Sequence, residues 1–265
     1  MWYVNRDDLD LIALAGRQMM DVDGTPVYRM NGNFWLACEP NDTAFTPSAR
    51  DAGTWEAWVT TAISQELIPA DKRYMFIDVG ANVGYYSFMA QRLGARVVSF
   101  EPNQELKKYW EISRICNNRM SSDPYVKWLA VGDVPEMKMS FVHENHTGAL
   151  SFYEGDTQGQ EYPITTLDNE LFPEDRFKGL VFKVDVEGFE REAWEGAKRL
   201  REYPNNVWFI EWVPVRHGIA YNREWLEEVL LTHDLQMVHT DGHCYPVGVE
   251  EALQVEFETI VFRKR

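Results

Sequence analysis

The sequence predicts a doubly wound α/β domain over residues 53–265, with a mostly parallel sheet of seven strands, preceded by a small N-terminal cap over residues 1–52. Three observations predict it. The apolar run Tyr74–Val79 carries Asp78 near its end and passes into the turn Gly80-Ala-Asn-Val-Gly84, after which Tyr85, Phe88, Met89 and Leu93 repeat with helical spacing. A second apolar run, Arg96–Phe100, ends on Glu101, about twenty residues beyond the turn. Strand and helix patterns then alternate to give five such units followed by two strands, the order in which helices cover both faces of a parallel sheet.

The elements follow in order. Short strands around Val27–Met30 and Phe34–Cys38 flank Asn31-Gly32, a hairpin signal. Trp55, Trp58, Val59, Ala62, Ile63 and Leu67 give a helix that starts after Gly53 and stops before Pro69. Gly94 closes the helix that follows the glycine turn. Asn103–Arg119 reads as a helix capped by Asn103, and Tyr125–Val131 as a third strand ending at Gly132-Asp133. Met137–His143 and Ala149–Tyr153 suggest a hairpin across Glu144–Gly148, followed by an extended stretch to Asp168. Gly179–Val184 is the fourth strand and Asn206–Trp212, with Glu211 at its end, the fifth. Between them a helix after Gly188 buries Phe189, Ala193, Ala197 and Leu200. A helix over Tyr221–His233, capped by Asn222, then precedes strands at Gln236–His239 and Leu253–Phe262, which pair as an antiparallel edge.

The glycine turn is a ligand edge, because a residue without Cβ lets backbone bend sharply beside the exposed amides of a helix N-terminus. A dinucleotide fingerprint registered on Gly80 would need glycine at 82 and 85, where Asn82 and Tyr85 stand, so NAD is disfavoured. The spacing Asp78-x-Gly80-x-Asn82-x-Gly84 instead resembles the first motif of class I S-adenosylmethionine methyltransferases, in the form it takes in the FkbM-like family. Phe100-Glu-Pro-Asn103 and Gly53-Thr-Trp55-Glu56 are similar to segments of the same family. The most specific match is Lys183-Val-Asp185-Val-Glu187-Gly188-Phe-Glu190, which resembles the family's signature in full; the resemblance covers about residues 53–262.

The resemblance implies a Rossmann-like fold and S-adenosylmethionine as cofactor. Asp78, Gly80, Asn82 and Gly84 would hold the methionine end, Glu101 the ribose, and Ala130 and Val131 the adenine, with Asn103 a further cofactor-binding residue. An acid ending the second strand also suits ribose hydroxyls on physical grounds, and equally suits the N-terminus of the next helix; both roles can coexist. Asp185, Glu187 or His146 would orient or deprotonate the acceptor. Acids after a strand also favour a helix N-terminus, which accounts for Glu187 and Glu190 but not for Asp185.

With 42 acidic against 26 basic residues and a formal charge of −16, the chain repels nucleic acids, although the same charge also serves solubility. Cys38, Cys116 and Cys244 are an odd number in no Cys-x-x-Cys pair, so neither a disulfide framework nor a zinc site is expected. Leu9–Ala15 is interrupted by Asp10 and lacks a basic leader, and no run of eighteen apolar residues occurs, so no signal peptide or membrane span is expected and the cytoplasm is the expected compartment. His143-x-x-His146 and His239-x-x-x-His243-Cys244 lack the convergence of a metal site, so no metal is expected. No Gly-x-Ser-x-Gly serves a hydrolase and no Tyr-x-x-x-Lys pair a dehydrogenase. The implied reaction is methylation of an oxygen on a small molecule, glycan or polyketide-like compound. Methylation of an amine or amide nitrogen, including one in a peptide, and a non-catalytic nucleoside-binding module remain the alternatives.

Overall fold

The structure is a computed structural model that describes residues 19–68, 73–117, 124–142, 150–151, 160–172 and 177–265. The Leu9–Ala15 run, Pro69, Arg119, the 143–149 loop with His143 and His146, and residues 152–153 of the second hairpin strand lie outside the described residues.

A sheet of eight strands organises the chain. Its parallel part consists of β4 (Tyr74–Val79), β5 (Arg96–Phe100), β6 (Tyr125–Lys127), β11 (Gly179–Val184) and β12 (Asn206–Trp212), and its antiparallel part of β13 (His233–Val238), β14 (Cys244–Pro246) and β15 (Glu258–Lys264). The order is β14-β13-β15-β12-β11-β4-β5-β6. The chain thus reverses its direction of winding at β4 and β11, whose neighbouring carboxyl ends open the crevice where ligands bind in doubly wound sheets.

Alternate residues along each strand feed opposite faces. Phe76 and Val181 pack with Val59, Ile63, Phe88 and Met89 on one side, from helices α2 (Ala57–Leu67) and α3 (Tyr85–Arg92). Ile77, Phe182 and Val184 pack with Trp194, Trp225 and Leu226 on the other, from helices α6 (Glu190–Glu195) and α7 (Ile219–Val229). Phe182 and Trp208 stack face to face, with centroids 3.6 Å apart.

In the N-terminal segment, β1 (Met19–Val22), β2 (Thr25–Met30) and β3 (Phe34–Ala37) form a separate antiparallel sheet, with the Asn31-Gly32 turn where expected. Phe34 and Leu36 share the cluster that contains Phe88 and Trp110. The open edge of β3 is closed by side chains of α4 (Lys107–Cys116) and its cap: Ser113 Oγ accepts from Ala37 N–H at 2.9 Å, and Asn117 Oδ1 from Trp35 N–H at 2.9 Å. The helix α1 (Phe45–Ala52) then leads into Gly53.

Several expected boundaries move. Trp55 precedes α2 because Glu56 sits in the left-handed region at φ 37°, so the helix starts at Ala57. The expected third strand divides. Tyr125–Lys127 pairs with β5, whereas β7 (Ala130–Val131) joins β10 (Gln160–Thr165) in a second sheet with β8 (Glu136–Val142) and β9 (Leu150–Ser151). The helix expected at Tyr221 starts at Ile219 behind Gly218, and Asn222 lies inside it, its amide donating to Pro214 O at 2.7 Å rather than capping. The last strand begins at Glu258, because residues Val249–Ala252 make a one-turn helix, α8; it inserts between β12 and β13, and β14 supplies the outer edge. No helix among the described residues is long and apolar enough to cross a membrane, and all three cysteines are free thiols.

Candidate active site

The loop after β4 is shaped by backbone that only small or amide residues adopt readily: Gly80 has φ 82°, Asn82 φ 49° and Gly84 φ 91°. A Cβ on Gly80 would lie 1.8 Å from Asp185 O, so this glycine lets the ends of β4 and β11 close on each other. A Cβ on Gly84 would meet the Trp110 ring at 2.8 Å, which makes that glycine a helix-packing residue.

Glu101 braces the loop. Its carboxylate accepts from the backbone N–H of Asn82 and of Asn103, each at 2.8 Å, while burial pushes its carboxyl up to about 7 against the pull of those two bonds. Asn103 is buried and its Oδ1 caps the following turn by accepting from Glu105 N–H at 3.1 Å. Asp78 points away from the crevice: Ser87 Oγ donates to its Oδ2 at 2.5 Å, Ser87 in turn meets Ser99 at 2.7 Å, and burial raises Asp78 to about 6.

Two clefts open beside this loop and meet at Gly80, Asp185 and Glu187. The first, about 410 Å³, has the apolar walls Ala130, Val131 and Phe189 with Glu101 on one side. The second, about 900 Å³, is lined by Trp55, Glu56, Asn82, Tyr86 and Glu211 among others.

The acids at the end of the fourth strand form one network with two cations, the buried Lys183 and the half-buried Arg216. Lys183 Nζ holds Asp185 Oδ2 at 3.0 Å; burial pulls this lysine's pKa down, but Asp185, Glu56 and Glu211 outweigh it and hold the ammonium charged. Arg216 donates to Glu187 Oε2 and Glu211 Oε2, both at 2.6 Å. Burial and the carboxylates of Asp185 and Glu187 push Glu211 well above the ordinary carboxylate range, opposed by Arg216. Glu187 itself is held left-handed at φ 55°. Glu190 is buried and accepts from Gly188 N–H at 3.0 Å, so this last acid of the motif stiffens the turn. Asp185, Glu187 and Glu211 offer ligand atoms within 4.8 Å of one another, which is the single group of three potential metal ligands among the described residues; Arg216 donates a hydrogen bond to two of them. His239 and His243 both turn to Asp241, at 3.2 Å each, on an exposed turn.

Of the residues singled out in the sequence, Gly80, Asn82, Glu101, Ala130, Val131, Asp185 and Glu187 line the clefts, while Asp78, Gly84 and Asn103 support them from behind. His146 lies outside the described residues. Sequence reasoning missed Glu56, Tyr86, Glu211 and Arg216 as site residues. Glu211 carried a signal, an acid at a strand end on the ligand side of the sheet, and Glu56 ended a recognised four-residue segment. Tyr86 and Arg216 carried none.

The sequence profile of the FkbM methyltransferase domain matches residues 78–228, from the first acid of the glycine turn to the end of α7. The chain belongs to the FkbM methyltransferase family. The match includes the glycine turn, Phe100-Glu-Pro-Asn103 and the Lys183–Glu190 signature, while Gly53-Thr-Trp55-Glu56 lies before it. Solved structures with similar folds include the FkbM methyltransferase of Methylobacillus flagellatus KT, at 16% identity over 71% of this chain and 43% of that one, with a TM-score of 0.43. The magnesium protoporphyrin IX methyltransferase of Synechocystis PCC 6803, solved with S-adenosylmethionine, shows 11% identity over 79% of each chain and a TM-score of 0.44. The tRNA (uracil-54, C5)-methyltransferase of Pyrococcus abyssi, solved with S-adenosylhomocysteine, shows 10% identity over 91% of this chain and 44% of that one, with a TM-score of 0.47. The aligned region thus spans less than half of the M. flagellatus protein. No curated protein matches the chain.

Proposed function

We propose that this FkbM-family chain transfers a methyl group from S-adenosylmethionine to an oxygen of a small-molecule, glycan or polyketide-like acceptor that enters the larger cleft. The observation that carries the reading is the junction of two clefts at Gly80, Asp185 and Glu187: the cleft with the apolar walls Ala130, Val131 and Phe189 and the larger acidic cleft share one wall, which joins the glycine turn to the family signature. S-adenosylmethionine supplies an already activated methyl group, so the protein has chiefly to align and to manage one proton. Ala130, Val131 and Phe189 would enclose the base, and Glu101 would meet the ribose while it keeps Asn82 in place. Asp185, fixed by Lys183, would orient the acceptor hydroxyl and take its proton.

The charge of the larger cleft supports an acceptor that is not a polyanion. Asp42, Glu56, Asp185, Glu187 and Glu211 line it, and the cations among these groups are already paired with carboxylates. The same carboxylates suit an amine nitrogen, which makes N-methylation the second reading. The test is release of S-adenosylhomocysteine against panels of hydroxylated and amine-bearing compounds, with Asp185→Asn beside the native protein. General-base loss should lower turnover by roughly two to four orders of magnitude. Cofactor affinity should change much less. Full turnover by Asp185→Asn would remove Asp185 from the chemistry.

A further inference from the structure

We propose that Glu56 is the carboxylate that receives the α-ammonium group at the methionine end of the cofactor. The inference rests on the reading of the two clefts as an S-adenosylmethionine site and assigns one further contact within it. The acid expected at that end was Asp78, but Asp78 is 1% exposed, is bonded to Ser87 and lines neither cleft. The methionine end is therefore left without its expected anion. Glu56 lies in the larger cleft together with Gly80, Ala81, Asn82 and Val83, the loop along which that end would run.

Three features show that Glu56 is held for contact with a ligand. Tyr86 OH donates to its Oε2 at 2.6 Å, which fixes the side chain from the helix that follows the glycine loop. Its backbone is left-handed, at φ 37° and ψ 67°. Of the six described non-glycine residues with positive φ, four are Asp or Asn and tolerate that region; the two glutamates, Glu56 and Glu187, both line this cleft. A left-handed glutamate costs about 1–2 kcal/mol, and strain of this kind persists where it aims a side chain at a ligand. Finally, no cation among the described residues is bonded to Glu56. Burial raises its pKa while the charge on Lys183 counters that, but Lys183 Nζ is bonded to Asp185. Asn82 Oδ1, in the facing loop, is also buried without a hydrogen-bond partner. An ammonium group brings one positive charge and three N–H donors, which is what a carboxylate and an unsatisfied amide oxygen lack.

The proposal separates the two ends of the cofactor, so it can be tested without knowledge of the acceptor. Calorimetric titration of the full chain compares S-adenosylhomocysteine, which carries the ammonium, with 5′-methylthioadenosine, which has the nucleoside and thioether but no amino acid. Glu56→Gln should weaken S-adenosylhomocysteine by roughly 10- to 100-fold, the worth of a hydrogen bond to a charged group. Methylthioadenosine should bind within about twofold of the native affinity, since no group it carries reaches Glu56. Tyr86→Phe, which keeps the ring and removes the clamp, should move the same ratio in the same direction by less. Equal loss for both ligands, or no change in either, would overturn the assignment of Glu56. Failure of the native protein to bind either ligand would overturn the cofactor site itself and this contact with it.

Discussion

Arg216 is the counterion on which the acid cluster depends, and its removal gives the sharpest test of the electrostatics. Asp185, Glu187 and Glu211 lie within 4.8 Å of one another, and Arg216 bonds two of them at 2.6 Å. Two carboxylates at that separation repel by roughly 3–4 kcal/mol at an effective dielectric of about 20. All three side chains are less than a third exposed, so solvent screens this only in part. Arg216→Gln keeps hydrogen-bond capacity and deletes the charge. At pH 8 the variant should lose about 1–3 kcal/mol of unfolding free energy, less than the cost of breaking a fully buried ion pair because the Arg216 and Glu187 side chains are each about a quarter exposed. The loss should be much the same at pH 6. Burial and like charge push Glu211 up to about 9 in the native protein already, and loss of the guanidinium raises it further, so both folded proteins hold its proton across this window. The stability of both therefore falls together as pH rises from 6 to 8, since the unfolded chain has released that proton. Urea unfolding of both proteins at pH 6 and pH 8 reads the difference. A loss below about 0.5 kcal/mol would show that the cluster does not depend on Arg216.

Two further substitutions separate the loop from its supports. Gly80→Ala places a Cβ 1.8 Å from Asp185 O at φ 82°; it should abolish S-adenosylhomocysteine binding and cost at least about 2 kcal/mol of stability, part of it from the left-handed backbone, and native affinity in calorimetry would refute the close packing of the two strand ends. Glu101→Ala removes the acceptor of two backbone N–H groups as well as the ribose contact. It should lower cofactor affinity by about 1–3 kcal/mol and reduce the melting temperature in the absence of ligand. An affinity loss without a change in melting temperature would deny the bracing of Asn82.

The parallel strands were legible because a strand buried on both faces reads as a short apolar run, and because acids mark where β4, β5 and β11 approach or reach the ligand edge. What the sequence could not convey was pairing with distant segments. Tyr125–Val131 reads as one strand, and only β10, some thirty residues later, draws Ala130 and Val131 away into a second sheet. Asp78 and Asp185 both read as acids on the ligand side. Position along the strand decides between them: Asp78 sits inside β4, level with Lys183, and is held by Ser87, whereas Asp185 lies one residue past the end of β11, beside Lys183. Glu56, Tyr86 and Arg216 belong to segments far from the signature, and nothing local in those segments records that the fold brings them to one cleft. Glycine at 80 and 84 looked alike in sequence, yet one accommodates a backbone carbonyl and the other an indole ring.

The central claim is that the crevice at the ends of β4 and β11 is an S-adenosylmethionine site, and calorimetric titration of the native protein with S-adenosylhomocysteine and with NAD tests it most directly. Saturable binding of S-adenosylhomocysteine with no detectable heat from NAD is the predicted result. It should be accompanied by a rise in melting temperature, since a ligand bound only to the folded state stabilises it by mass action. Equal binding of the two ligands, or binding of NAD alone, would contradict the account.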